Sequence, residues 1–270
     1  LTIHPNRKAM KNPHMRIIPL QSGSNGNCVY VEAGGKSLLF DAGISGLQAQ
    51  RRLSALGCDI RQVEGLFISH DHADHVRCAG VYHRKFGLPL YVGRQTLSAA
   101  RSRFTLGELK KSIFFEPGQT IHVGEVRIHT VPTPHDAPGT VAFIIDDGRR
   151  RVGIFTDLGH SFDGLDQLLA GCDAALLESN YDPQMLRDGP YPDWLKRRVA
   201  GPAGHLSNIE AALLLRSSGK IGRLRWACLG HMSENNNTPQ LALKTHRDII
   251  GQKFRLHLAS RYEAAGPMVV

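Results

Sequence analysis

The chain is poor in cysteine and has no long apolar run and no internal repeat. Its five cysteines (Cys28, Cys58, Cys78, Cys172, Cys228) are odd in number and lack C-x-x-C spacing. That argues against a disulfide framework and for a reducing, cytoplasmic setting, with each thiol a small buried hydrophobe. No apolar stretch approaches the ~20 residues of a membrane span, so no membrane partner is expected. Residues Leu1 to His14 are polar and basic and lack the apolar segment of a secretion signal, so a disordered leader is expected over 1–14. With no low-complexity linker, 15–270 reads as one domain. Acidic residues are the scarcer sign: 24 Asp and Glu against 33 Lys and Arg leave a formal charge of +9. Such a surplus suits an anionic polymer, nucleic acid above all.

Short apolar runs separated by Gly, Ser and Asn clusters predict strands at Arg16–Leu20, Cys28–Val31, Leu38–Phe40, Leu66–Ile68 and Leu90–Val92. A second block is predicted at Ile113–Phe115, Thr120–Val123, Val126–Val131, Val141–Ile145 and Val152–Phe155, with Ala174–Leu177 and Leu224–Leu229 further on. Helical spacing appears at Leu47–Leu56, His75–Phe86, Leu165–Ala170, Ile209–Arg216 and Pro239–Ile250. Two strand blocks, each followed by helices, imply an α/β protein with two sheets face to face and helices outside, an αββα sandwich. The segment 181–204 holds four prolines and reads as an irregular insertion near the active site.

The run Ser69-His70-Asp71-His72-Ala73-Asp74-His75 follows the strand Leu66–Ile68. His70, His72, Asp74 and His75 fall within six residues, and a turn can fold them toward one point. Imidazole and carboxylate together suit Zn²⁺ or Mn²⁺. Three more candidates each end a predicted strand: His135, Asp157 and His231. Strand ends on one side of a sheet converge. Seven such ligands exceed what one ion needs, which implies two divalent ions and a hydrolytic reaction.

With these motifs in this order, the chain resembles the metallo-β-lactamase-fold hydrolases from Ile17 to about Pro239. The resemblance implies one metal on His70, His72 and His135, a second on Asp74, His75 and His231, and Asp157 bridging both. It makes Asp41 an orienting partner of a ligand imidazole; a plain turn-forming Asp before Ala42-Gly43 is the other reading. Four further motifs, Ser22–Cys28, Leu177–Asn180, Gly204–Asn208 and His231–Asn236, are similar to the YycJ/WalJ subgroup, described as bacterial exonucleases on double-stranded DNA. The second half also resembles the tRNA 3′-processing endonucleases, tRNase Z. That likeness implies that Glu178 pairs with His205 and that His205 gives a proton to the leaving alkoxide. The other reading of His205 is an ordinary residue at a helix start beside the Ser207 or Asn208 cap; the functional one is kept because Glu178 ends a predicted strand.

The expected reaction is phosphodiester hydrolysis by a water or hydroxide shared between two metals, with Asp74, Glu178 and His205 as catalytic groups and DNA as the favoured substrate. Candidate substrate contacts are Ser24, Asn25 and Asn27 in the Gly-rich loop, Asn180, Ser207 and Asn208 in later motifs, and Arg197 and Arg198 for backbone phosphates. Two rivals stand: a small-molecule hydrolase of the same fold (a cyclic phosphodiesterase or a glyoxalase-II-like thioesterase), and a non-catalytic metal-binding module.

Overall fold

The computed structural model describes residues 14–270, so most of the expected leader lies outside the described residues. Among the described residues, two seven-stranded sheets stack face to face. The first takes β1 (Arg16–Gln21), β2 (Cys28–Ala33), β3 (Lys36–Phe40), β4 (Gly65–Ile68), β5 (Leu90–Gly93) and β6 (Ser112–Phe115). The second takes β7 (Thr120–Val123), β8 (Val126–Pro132), β9 (Val141–Asp146), β10 (Arg151–Phe155), β11 (Ala174–Glu178), β12 (Trp226–Gly230) and β13 (Arg255–Leu258). The last strand, β14 (Met268–Val269), returns to pair antiparallel with β1.

Strand alternation explains the layering. Leu38 and Phe40 of β3 face the other sheet, while Leu39 between them faces outward, and all three are buried. The same holds for Leu176 and Leu177 of β11, and for Cys228 and Leu229 of β12. Both faces are apolar because helices cover the outside of each sheet. On the first sheet these are α1 (Gly46–Ala55), the short α2 (Ala73–Val76), α3 (Ala79–Phe86) and α4 (Arg94–Arg103). On the second, α5 (Leu165–Ala170) packs there; α6 (Pro183–Asp188) and α7 (Asp193–Val199) form a small outlying cluster, and α8 (Asn208–Ile221) and α9 (Pro239–Ile250) complete the layer. Between the sheets, Phe67 stacks on Phe40 at 5.2 Å and meets Phe143 of the opposite sheet edge-on at 6.1 Å. The αββα expectation therefore holds.

Two local expectations do not. The helix over His75–Phe86 is broken at Arg77-Cys78. The Cys78 amide donates to Ala42 O (3.0 Å), and the Arg77 side chain donates to Gly43 O (2.9 Å) and Asn25 O (2.9 Å). Tertiary acceptors thus replace the helical ones at that turn. The segment 181–204 is not irregular either, since α6 and α7 lie within it. Pro183 sits in the first helical turn after the Asp182 cap, where its missing amide costs nothing, so this proline starts a helix. Cys28, Cys58, Cys172 and Cys228 are buried and Cys78 is half-buried, and all are free thiols. Among the described residues, no helix is long and apolar enough to cross a membrane.

One buried histidine remote from the strand ends has a strongly shifted pKa. His246 on α9 is fully buried, and its Nδ1 donates to Ala242 O at 2.8 Å. Burial pushes its pKa down from the usual value near 6.5 to about 4. The unfolded chain therefore binds the extra proton first, and stability falls as pH drops below about 6.5. Between pH 7 and pH 5 the metal-free protein should lose about 2 kcal/mol from this residue. Urea unfolding at the two pH values, compared with His246→Leu, checks it: an equal loss in the variant would clear His246 of the effect.

Candidate metal centre

The parallel strands β3, β4, β10, β11 and β12 end at one edge of the sandwich. Asp41 follows β3, His70 lies just past β4, Asp157 just past β10, Glu178 ends β11, and His231 follows β12. Asp41, Asp157 and His231 adopt left-handed backbone conformations, with φ of 62°, 56° and 52°. Such conformations are disfavoured for residues other than glycine and concentrate at functional sites. Here each turns a side chain back over the strand ends. The loop before α1 docks tightly on this region. A Cβ on Gly43 would lie 1.7 Å from Asp74 O, so only glycine lets that loop approach.

Two groups of ligating atoms face one another across Asp157. On one side are His70, His72 and His135; on the other, Asp74, His75 and His231, with the ligand atoms of each group within 4.8 Å of one another. Asp157 Oδ1 lies 3.6 Å from both His135 Nε2 and His231 Nε2, and its Oδ2 lies 3.3 Å from His75 Nε2. His231 Nε2 lies 3.4 Å from Asp74 Oδ2.

Neighbouring acceptors hold the rings. Asp41 Oδ2 accepts from His75 Nδ1 at 2.7 Å, leaving Nε2 turned toward Asp74 and Asp157. Gly204 O accepts from His135 Nδ1 at 2.9 Å. Ser69 places its hydroxyl 2.9 Å from both Asp41 oxygens and 2.9 Å from His70 Nδ1. Ser22 Oγ accepts from the His231 amide at 2.9 Å, and Asn180 Nδ2 donates to His231 O at 2.7 Å. Asn27 Nδ2 donates to Asp74 Oδ2 at 3.2 Å and lies 2.9 Å from His75 Nε2.

The residues fit divalent cations. His70 Nε2 and Asp157 Oδ2 are buried without a hydrogen-bond partner among the described residues, a costly state unless something else satisfies them. Burial, aided by the neighbouring histidines, pushes His70 well below its usual pKa, and burial also lowers His72 and His135. These three are neutral imidazoles with lone pairs to give. Across Asp157 the balance reverses. Burial opposes charge on His231, yet Asp157, Asp74 and Glu178 outweigh it and raise the pKa to about 10. His75 is likewise raised, against burial, by Asp157, Asp41 and Asp74. That side lacks positive charge, which protons supply here and a cation would supply in their place.

Glu178 and His205 form a further pair. Glu178 is fully buried; its Oε1 accepts from His205 Nδ1 at 2.6 Å and its Oε2 from the Leu158 and Leu206 amides at 3.1 and 3.3 Å. Burial works against its charge, but His205 and His231 pull it well below the usual carboxylate range. His72, Asp74 and His205 keep about a fifth of their side chains exposed and so mark the mouth of the site.

The other candidates divide. Ser207 caps α8, accepting from the Glu210 amide, and Asn208 is locked in a buried network with Ser179 and Asn237. Asn25 faces away from the ligands and donates to Arg261 O at 3.0 Å, while Ser24 is exposed. Arg198 donates to Asp136 Oδ2 at 2.6 Å, and Asp136 Oδ1 lies 3.5 Å from His72 Nε2 and 3.4 Å from His135 Nε2. Arg197 is exposed on α7. Sequence reasoning missed Ser22, Ser69 and Asp136. The one available signal was that Ser69 and Asp136 adjoin ligand candidates in the chain.

Residues 36–232 match the model of the beta-lactamase superfamily domain. The chain belongs to this family. It is 30% identical to exodeoxyribonuclease YycJ of Bacillus anthracis, over 88% of this chain and 92% of that protein. It is 35% identical to exodeoxyribonuclease WalJ of Streptococcus pneumoniae, over 84% of each. Among solved structures, the metallo-beta-lactamase fold protein YhfI from Bacillus subtilis superposes with a TM-score of 0.73 at 16% identity, over 96% of this chain and all of that one. With the clustered His and Asp ligands, this makes the protein a metal-dependent hydrolase of the metallo-β-lactamase fold.

Cation binding should stabilise the fold. Mn²⁺ or Zn²⁺ at a hundred times its dissociation constant adds about 2.7 kcal/mol per site to the metal-free protein. In Asp157→Asn, which keeps the side chain's shape and loses its charge, the rise in Tm should be clearly smaller. Calorimetric scans with and without metal measure it, and equal shifts in both proteins would remove Asp157 from the binding set.

Proposed function

We propose that this hydrolase is a nuclease that cleaves phosphodiesters of DNA, acting as an exonuclease on double-stranded ends. The observation that carries this reading is the Glu178–His205 pair at the mouth of the centre. Hydrolysis of an ordinary phosphodiester expels a poor alkoxide leaving group, which needs a proton donor. The names of the YycJ and WalJ relatives and the surplus of basic residues agree with a DNA substrate.

Two cations, Zn²⁺ or Mn²⁺, would be held by His70, His72, His135, Asp74, His75, His231 and Asp157, and would supply Lewis-acid charge and an ionised water at neutral pH. The chain's own residues do the rest. Asp41 and Ser69 fix the tautomers of His75 and His70, so their ligand nitrogens point inward. Glu178 accepts the His205 Nδ1–H and leaves Nε2 to face the substrate. As hydroxide adds to phosphorus and the P–O bond to the leaving oxygen breaks with its electron pair going to that oxygen, His205 Nε2 gives its proton to it.

In this reading 181–204 is a wall of the substrate groove. Lys196, Arg197 and Arg198 fall in the last turn of α7, and Trp194 is 61% exposed on the same helix. Arg198 is tied to the centre through Asp136, and Arg197 contacts the phosphate backbone.

His205→Ala should slow cleavage of DNA about 10²–10⁴-fold. A diester with p-nitrophenolate as leaving group needs no acid and should slow far less. Equal slowing of both substrates would take the acid role from His205. Metal-loaded protein that hydrolyses small thioesters or cyclic phosphodiesters, and leaves end-labelled duplex DNA intact, would replace the nuclease reading altogether.

A further inference from the structure

Beside the metal centre lies a second concavity of about 390 Å³, within the ~300–1,000 Å³ common for ligand sites. Met232, Ser233, Thr238, Gln240, Arg261 and Tyr262 line it. Met232 directly follows His231 and forms a β-bridge with Gly23. The Gly-rich loop Ser22–Asn27 is the partition between the two sites. Asn27 touches Asp74 on one side at 3.2 Å, and Asn25 touches the Arg261 carbonyl on the other at 3.0 Å.

The outer wall is an aromatic ring held open to solvent. Tyr262 is 65% exposed, yet it is pinned at several points. Its hydroxyl donates to Glu234 Oε1 at 2.9 Å and its amide to Ser260 Oγ at 3.1 Å. Its carbonyl accepts from Arg52, which also holds Leu20 O at 2.8 Å and Gln21 Oε1 at 2.6 Å, tying the loop to β1. Arg261 donates to Met232 O at 2.7 Å and to Glu234 Oε2 at 3.0 Å, and its guanidinium carbon lies 5.8 Å from the Tyr262 ring centre. A rigid exposed ring beside an exposed hydrogen-bonding carboxylate, that of Glu234, is the chemistry that holds an unstacked nucleobase. A phosphate fits less well, because Glu234 is 58% exposed beside the ring and repels it. The same carboxylate can accept a hydrogen bond from an exocyclic amino group of a base.

We propose that this concavity is a nucleobase site: the base adjoining the scissile phosphate at a DNA end leaves the helix stack and lies on Tyr262. The inference rests on the nuclease reading above. It gives the enzyme a hold on a fraying end, where unstacking costs least. Interior base pairs would have to be broken open to reach the ring, so the site also favours ends over interior positions.

The test compares native protein, Tyr262→Ala and Tyr262→Phe, each metal-loaded, on a blunt duplex and on methyl p-nitrophenyl phosphate, which carries no base. In Tyr262→Ala the ratio of kcat/KM on DNA to that on the small diester should fall about tenfold, the loss of one stacking contact. The fall should lie in KM, and Tyr262→Phe, which keeps the ring, should stay close to the native ratio. A duplex whose terminal nucleotide lacks its base should bind native protein about tenfold more weakly and Tyr262→Ala no more weakly than an intact end. An unchanged ratio in Tyr262→Ala, or the same abasic penalty in both proteins, would overturn the base site while DNA cleavage stands. Native protein that turns over the small diester but no DNA would instead overturn the nuclease reading.

Discussion

Two carboxylates buried among imidazoles set the terms for the rest of this structure. Asp157 and Glu178 are 2% and 0% exposed, and a buried carboxylate is costly unless compensating charge and hydrogen bonds surround it. Here the compensation comes from both halves of the sandwich. Asp157 and Glu178 end strands of the second sheet; His75 comes from the first and His231 from the second. The two sheets must therefore stack in register before Asp157 meets His75, whereas Glu178 finds His205 and His231 within the second half. The aromatic contact of Phe67 with Phe143 supports that stacking.

Much of the candidate site was legible because a metal centre would demand few residue types at convergent positions, and these side chains do converge. His70, His72, Asp74 and His75 share one loop and short helix, so their spacing alone announced them. His135, Asp157 and His231 could be picked out because each followed an apolar run that reads as a strand. Ser69 and Ser22 could not, since a serine gives no sign of whether its hydroxyl will meet an imidazole or an amide from elsewhere in the chain. Asp136 was equally silent, because its partner Arg198 lies 62 residues away.

The missed elements have the same origin. The break at Arg77-Cys78 depends on the Ala42 carbonyl arriving from the loop before α1. No local propensity encodes that bond. Helix α4 buries only Thr96, Leu97 and Ala100, too narrow a stripe for its sequence to read as amphipathic. The prolines of 181–204 suggested disruption, whereas Pro183 opens a helix and Pro192 immediately precedes one.

The left-handed turns at Asp41, Asp157 and His231 constrain how this centre can drift. Among side chains with a Cβ, Asn, Asp and His are the ones that most readily tolerate such a backbone, and a β-branched residue there is a genuine outlier. Replacement by Val or Ile would thus remove a polar group and strain the main chain at once. Asn and Gly are the neighbours in sequence space that a descendant could sample while still folding. An inactivated relative of this enzyme is accordingly expected to carry amides or glycines at these corners, with its scaffold intact and its chemistry gone.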